Sequence, residues 1–253
     1  MVGCPSDEGS TGCSEVSDSP LCRAISFDAG NTLLRVEPSV GAVYASEAKR
    51  FGVRADASSI DRWFREAWKA LQSDAHVAFD GATSEAGERA WWERLVRESF
   101  RLAAPNATFE PDFDSFFSHL YERFAEPDVW HVYDDVHATL ELLARRNIRL
   151  CVLSNWDSRL PRLLDALGLG HYFEFVLTSA EVGHRKPHGS MFDVMIERLA
   201  LPKVSVLHVG DHEAEDVAGA RAVGVRAVLL DRDLHVERDG VRIRSLSELL
   251  HFL

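Results

Sequence analysis

Hydrophobic positions along this chain repeat on two different periods. A short apolar run, Ala24-Ile25-Ser26-Phe27, ends at Asp28 and meets the turn-formers Gly30 and Asn31, which predicts a buried strand feeding a loop. From Val40 the spacing becomes helical. It recurs in Val40, Val43, Tyr44 and Phe51; in Ile60, Trp63, Phe64, Trp68 and Leu71; in Trp91, Trp92, Leu95, Val96 and Phe100; and in Phe113, Phe116, Phe117, Leu120, Tyr121 and Phe124. Four amphipathic helices in succession predict a small bundle, whose packed core the aromatic stripes would supply.

Beyond Pro127 short apolar runs alternate with helical spacing. The pattern predicts helices over 136–143, 160–167, 192–199 and 217–223, and strands over 148–153, 173–177, 204–209 and 225–230. Nearly continuous apolar strands joined through helices imply a parallel sheet covered on both faces, with right-handed crossovers. The expected fold class is therefore α/β: a doubly wound parallel sheet with a helical domain inserted after its first strand. The expected divisions are a disordered tail over 1–21, rich in Ser, Gly, Asp and Pro, an α/β core over 22–35 and 128–253, and the helical insertion over 36–127.

Composition narrows the partners. Forty acidic residues against 28 basic ones give a formal charge of −12, a field that repels a phosphate backbone, so nucleic acid is excluded as a partner. Cys4, Cys13, Cys22 and Cys151 are irregularly spaced and form no C-x-x-C pair, which speaks against structural disulfides and zinc. With no signal-peptide pattern and no run of eighteen apolar residues, the expectation is a cytoplasmic protein that does not enter the membrane. The sequon at Asn106 then reads as chance.

In open α/β sheets ligands gather at the carboxyl ends of the strands, so the residues just past each apolar run carry the candidate chemistry. Asp28 is either a turn residue or a carboxylate fixed for nucleophilic attack on phosphorus. Ser154 and Asn155 offer a hydroxyl and an amide to a phosphate oxygen, or they cap the following helix. Lys186, before Pro187, is either a solvated loop lysine or an ammonium beside Asp28 that neutralises an approaching phosphate. Asp211, Glu215 and Asp216 concentrate charge that a divalent cation would relieve; helix N-terminal capping by Glu213, Glu215 and Asp216 is the other reading. His184, His188 and His208 read as structural or surface groups, since Gly210-Asp211 breaks any H-x-x-x-H helix face between His208 and His212.

Four segments taken in order, Phe27-Asp28-Ala29-Gly30-Asn31-Thr32-Leu33, Leu153-Ser154-Asn155, Arg185-Lys186-Pro187 and Gly210-Asp211-His212-Glu213-Ala214-Glu215-Asp216, resemble the four motifs of the haloacid dehalogenase-like (HAD) hydrolase superfamily. The resemblance runs from about Ala24 to Leu230, with the helical insertion in the place of that superfamily's cap domain. It implies a HAD-like Rossmannoid core, Asp28 as nucleophile with Lys186 beside it, and Ser154 and Asn155 on the phosphate. It further implies Mg²⁺ held by Asp28, the carbonyl of Gly30 and Asp211, with Asp216 orienting the metal's ligands or waters, and a small, phosphorylated substrate. Cap residues such as Trp68 or His76 would shape substrate choice.

One position departs from the pattern. The superfamily's phosphatases carry a second aspartate two residues after the nucleophile, which protonates the leaving oxygen and later activates water; here it is Gly30. A positioned acid/base is worth roughly 10²- to 10⁴-fold. The first expectation is a slow or specialised Mg²⁺-dependent phosphatase in which Asp157 or His212 replaces the acid or the leaving group needs none. The alternatives are a two-haloacid dehalogenase-type hydrolase, whose halide departs unprotonated and without Mg²⁺, and a catalytically impaired binding protein on the same fold.

Overall fold

The computed structural model describes residues 22–78, 81–233 and 242–252, with the main chain only over 73–78. Six parallel strands form the central sheet in the order β5-β4-β1-β6-β7-β8. They are β1 (Ala24–Phe27), β4 (Arg149–Ser154), β5 (Phe175–Thr178), β6 (Val206–Gly210), β7 (Arg226–Leu230) and β8 (Arg242–Ile243). Every residue of β1 is buried, and the strand's pleat sends alternate residues to opposite faces. Ile25 and Phe27 join the core under α5 (Val136–Arg145) and α6 (Leu160–Ala166). Ala24 joins the core under α8 (Gly189–Leu199) and α9 (Gly219–Ala222). These are the two covered faces that the continuous apolar runs required.

The chain steps outward from β1 in both directions, through β4 to β5 on one side and through β6, β7 and β8 on the other. The order reverses at β1, and at such a switch point the loops on its two sides diverge and leave a crevice. Ala24 pairs with Arg149 on one flank and Val206 on the other, so β1, β4 and β6 end nearly level. Asp28 and Asp211 directly follow β1 and β6, and Ser154 is the last residue of β4.

Between β1 and β4 lie α1 (Val40–Ala48), α2 (Ala57–Ala78), α3 (Glu85–Ala103) and α4 (Phe113–Arg123). The starts of α1, α3 and α4 are capped by side chains: Ser39 accepts from Ala42 N at 3.1 Å, Ser84 from Gly87 N at 3.1 Å and Asp112 from Ser115 N at 2.7 Å. The predicted aromatic stripes converge on a separate core of Tyr44, Ile60, Val96, Phe100, Phe116, Phe117 and Leu120. Gly41 lets α1 and α2 meet, because a Cβ there would stand 2.1 Å from the Ala57 carbonyl oxygen.

Four features were not anticipated. An antiparallel pair, β2 (Leu34–Val36) with β3 (Trp130–Val132), closes the neck of the insertion; three-residue strands are too short to print a period. A one-turn helix, α7 (Ser179–Val182), follows β5, and the edge strand β8 completes the sheet. The helix expected at 217–223 starts earlier, as a π-helical turn over Glu213–Ala218 that runs into α9. Cys22 and Cys151 are buried and unpaired; Cys4 and Cys13, like the expected disordered tail, lie outside the described residues. Among the described residues no helix is long and apolar enough to cross a membrane.

Candidate active site

Asp28 is held from behind by its backbone N–H, which donates to the Val209 carbonyl at 2.8 Å. Its Oδ1 accepts from Ser154 Oγ at 2.9 Å and from Lys186 Nζ at 2.6 Å. Lys186 is 1% exposed and spends all three ammonium hydrogens, on Asp28, on Asp216 Oδ1 at 2.6 Å and on the Leu153 carbonyl at 2.8 Å. A residue that would ordinarily be a solvated loop lysine is thus a fixed cation between two carboxylates. Although burial works against its charge, Asp216 and Asp28 keep it protonated far above the ordinary lysine value.

The loop carrying Lys186 is held by Asn155. Asn155 Oδ1 accepts from Lys186 N at 2.7 Å, and Asn155 Nδ2 donates to the Lys186 carbonyl at 3.1 Å and to Glu215 Oε2 at 3.0 Å. Both amide hydrogens are therefore engaged, so this side chain orients Lys186 rather than presenting a spare donor to a phosphate. Glu215 in turn accepts from Gln72 Nε2 of α2 at 3.1 Å, which ties the insertion to the fourth motif.

Asp216 Oδ2 accepts from His212 N at 2.9 Å, and its Oδ1 also accepts from His208 Nε2 at 3.1 Å. His208 Nδ1 lies 2.8 Å from Ser26 Oγ. Burial keeps His208 below the usual imidazole range, and its ring bridges Ser26 and Asp216. The expectation that His208 is structural fits this placement beneath Asp216. The signal in the sequence was a histidine inside an apolar strand, a buried polar group that must find a partner. The N-cap of the π-turn is His212, whose Nδ1 accepts from Glu215 N at 3.2 Å. Glu213, Glu215 and Asp216 occupy the first turn, as expected of acids facing a helix N-terminus, while the N-cap itself is His212. His184 and His188 stack at 4.1 Å, and His188 caps α8.

Asp211 lines the same cleft, far from Asp28 along the chain. Asn31 holds φ at 53°, a left-handed conformation that asparagine tolerates, and its side chain lines the cleft with Asp211. Burial and the charges of Asp28 and Asp216 push the Asp211 carboxyl well up; burial, outweighing Lys186, also raises Asp28. Asp216 goes the other way, because Lys186 and His208 overcome its burial and hold it far below the usual carboxylate range. Lys186 pairs with Asp28 and Asp216, and Asp211 adds a third carboxylate to the cleft without joining that bridge. That surplus of negative charge on oxygen donors fits a divalent hard cation. Among the described residues no three His, Cys, Asp or Glu side chains group as a metal site. The implied set is of a different kind: two carboxylates and one main-chain carbonyl.

Gly30 borders the cleft, and a Cβ on it would stand 3.8 Å from Trp156 Cζ3, in ordinary contact. Of the two groups expected to replace the missing acid, Asp157 is overturned. It is wholly buried, accepts from Tyr121 Oη at 2.7 Å and from Arg159 Nη2 at 2.6 Å, and is held below the usual carboxylate range despite that burial. It is an ionised anchor away from the cleft. His212 does line the cleft, as does Trp68; the His76 side chain lies outside the described residues.

A mostly parallel α/β sheet with a lysine-bridged carboxylate pair at its switch point defines a hydrolase class, and the chain belongs to the haloacid dehalogenase-like hydrolases, whose family model matches residues 22–224. Among curated relatives, haloacid dehalogenase-like hydrolase domain-containing protein 3 of Danio rerio is 33% identical over 83% of this chain and 85% of its own length. The Homo sapiens protein of the same name is 34% identical over 82% and 81%. A HAD phosphatase from Thermococcus onnurineus superposes with TM-score 0.60 at 26% identity, over 91% of this chain and 97% of that one. An L-2-haloacid dehalogenase from Xanthobacter autotrophicus superposes at 0.69 with 18% identity, over 92% and 98%, a likeness of fold.

Proposed function

We propose that the protein hydrolyses small phosphate monoesters through an aspartyl-phosphate on Asp28. The observation that carries this reading is the buried Lys186 ammonium, bonded at 2.6 Å to both Asp28 and Asp216 beside Asp211. A carboxylate that must meet a phosphate dianion needs a fixed cation within reach, and Lys186 has no solvent-facing role to offer instead. Mg²⁺ held by Asp28, the Gly30 carbonyl and Asp211 would supply the charge that balances the three carboxylates and screens the incoming phosphate.

Asp28 Oδ attacks phosphorus, the bond from phosphorus to the ester oxygen breaks, and that oxygen leaves with the electron pair. Water then attacks the same phosphorus, the Asp28–phosphorus bond breaks, and the carboxylate and inorganic phosphate are released. Ser154 Oγ, on Asp28 Oδ1 at 2.9 Å, orients the nucleophile during both steps. Asn155 keeps Lys186 in place, and Asp216 fixes the ammonium from the far side. The helices between residues 36 and 127 act as the cap, with Gln72 touching the fourth motif.

The dehalogenase reading draws on Gly30, since a halide leaves without a proton. Asp211, which lines the cleft, then has no work to do. The deciding measurement is turnover of p-nitrophenyl phosphate with Mg²⁺ and with EDTA, run beside chloride release from 2-chloropropionate. Phosphate ester turnover that EDTA abolishes and Asp28→Asn removes is the expected result. Chloride release that survives EDTA would replace this reading with the dehalogenase one.

A further inference from the structure

Two features beside Asp28 are left over from that reading. One is the missing proton donor: Gly30 has no side chain, and the indole of Trp156 lies against the space beside it, at 3.8 Å from where a Cβ would be. The other is the wall above the carboxylates. The cleft of about 490 Å³ that holds Asp28 and Asp211 is faced by Phe64, Trp68 and Trp92 from the insertion and by Trp130 and Trp156 from the neck and core. Trp68 and Trp92 meet at 5.7 Å between centroids, and Trp130 and Trp156 at 5.3 Å, so the rings form two contacting pairs that line the same cleft. That volume lies within the range of pockets that enclose a small organic ligand.

We propose that the cleft takes monoesters of phenol-like hydroxyls, with the aromatic body of the leaving group lodged between the tryptophans and the phosphate on Asp28. This inference rests on the phosphatase reading and names its substrate class. The leaving-group chemistry and the wall point the same way independently. A phenol ionises near pH 10, whereas an aliphatic alcohol holds its proton about as tightly as water, whose pKa is about 15.7. An aryl oxide can therefore depart with its electron pair and collect a proton from water afterwards, but an alkoxide needs one in the transition state. The same ring offers the flat apolar face that tryptophans bind by offset or edge-to-face contact. The indoles supply most of the apolar wall of the cleft, and Arg35, Arg65, Lys69 and Gln72 line it beside them, cationic and polar groups suited to the phosphate end of such an ester.

The test compares kcat/KM for phenyl phosphate, 2-phenylethyl phosphate and ethyl phosphate with Mg²⁺ on the full chain, alongside fluorescence-quench titrations of Asp28→Asn with the phenyl and ethyl esters. Phenyl phosphate should exceed 2-phenylethyl phosphate by about 10²- to 10⁴-fold, the worth of the absent acid. Gly30→Asp should narrow that gap at least tenfold. Phenyl phosphate should bind Asp28→Asn at least tenfold more tightly than ethyl phosphate, and Trp68→Leu should reduce the phenyl-over-ethyl ratio at least fivefold. Equal turnover of phenyl and alkyl esters, or equal binding of phenyl and ethyl phosphate, would overturn the proposal. If no ester is hydrolysed, the phosphatase reading falls by itself. The titration then still decides the aromatic subsite, upheld by tighter phenyl binding and overturned by parity.

Discussion

At the scale of single residues the centre of the molecule is the ammonium of Lys186. Desolvating it is tolerable because its three hydrogens have three acceptors, and two of those are carboxylates. Lys186→Met removes the cation and leaves Asp28 and Asp216 buried against each other. The expected loss is about 3–5 kcal/mol of stability, the usual penalty for breaking a buried pair from one side. Urea denaturation in EDTA measures it, with Mg²⁺ restoring part of the deficit; a variant as stable as the parent in EDTA would show that the pair is not what holds this loop. Gly30 makes a kinetic prediction. Without a side chain there to activate water, hydrolysis of the aspartyl-phosphate should be slower than its formation. A stopped-flow burst of p-nitrophenol approaching one equivalent per Asp28 is expected, and linear release from the first turnover would contradict it. Asp28 was legible in the sequence because a lone carboxylate ended an apolar run. The role of Asn155 was not, because the choice between holding a phosphate and holding Lys186 depends on a loop 31 residues away.

At the scale of elements, period carried most of the information. The runs at 148–153, 204–209 and 225–230 are β4, β6 and β7 to within two residues, since a strand buried on both faces has no polar position to confuse its limits. The helices of the insertion were equally plain in their aromatic stripes. What period missed were the pieces shorter than a period, β2, β3 and α7, whose pairing is set by the elements around them. The crossing of α1 and α2 depends on Gly41 and on Asp61, which accepts from Gly41 N at 2.6 Å and Ser39 Oγ at 2.7 Å. Gly41→Ala drives a methyl into the Ala57 carbonyl, a backbone atom that cannot swing aside. It should cost about 1–3 kcal/mol, read as a lower urea midpoint with an unchanged slope. No change in midpoint would mean that the two helices separate freely.

At the scale of the whole molecule the insertion is fastened to the sheet domain by buried polar groups. Glu88 of α3 accepts from Arg185 Nη1 at 2.5 Å and from Ser179 Oγ at 2.6 Å, while Arg185 lies 4.5 Å over the Trp91 ring. Tyr121 and Gln72 add ties to Asp157 and Glu215. Arg185 adjoins Lys186, so this fastening and the candidate site share one loop. Glu88→Gln leaves the guanidinium buried without its counter-charge. About 3–5 kcal/mol should be lost, with faster amide exchange over 81–103 than in β1; uniform exchange behaviour would place the coupling elsewhere. By itself the sequence determined the sheet with its helical insertion, the strand that ends at Asp28, the four motifs and the absence of a second carboxylate at position 30. Such features are local, written in neighbours two to four residues apart. The tertiary structure alone decided that Asp157 is an ionised anchor beneath the insertion, that His208 supports Asp216, and that five aromatic rings from four segments face one cleft. Those are choices of partner across long stretches of chain, and only the strand order at β1 brings the choosers together.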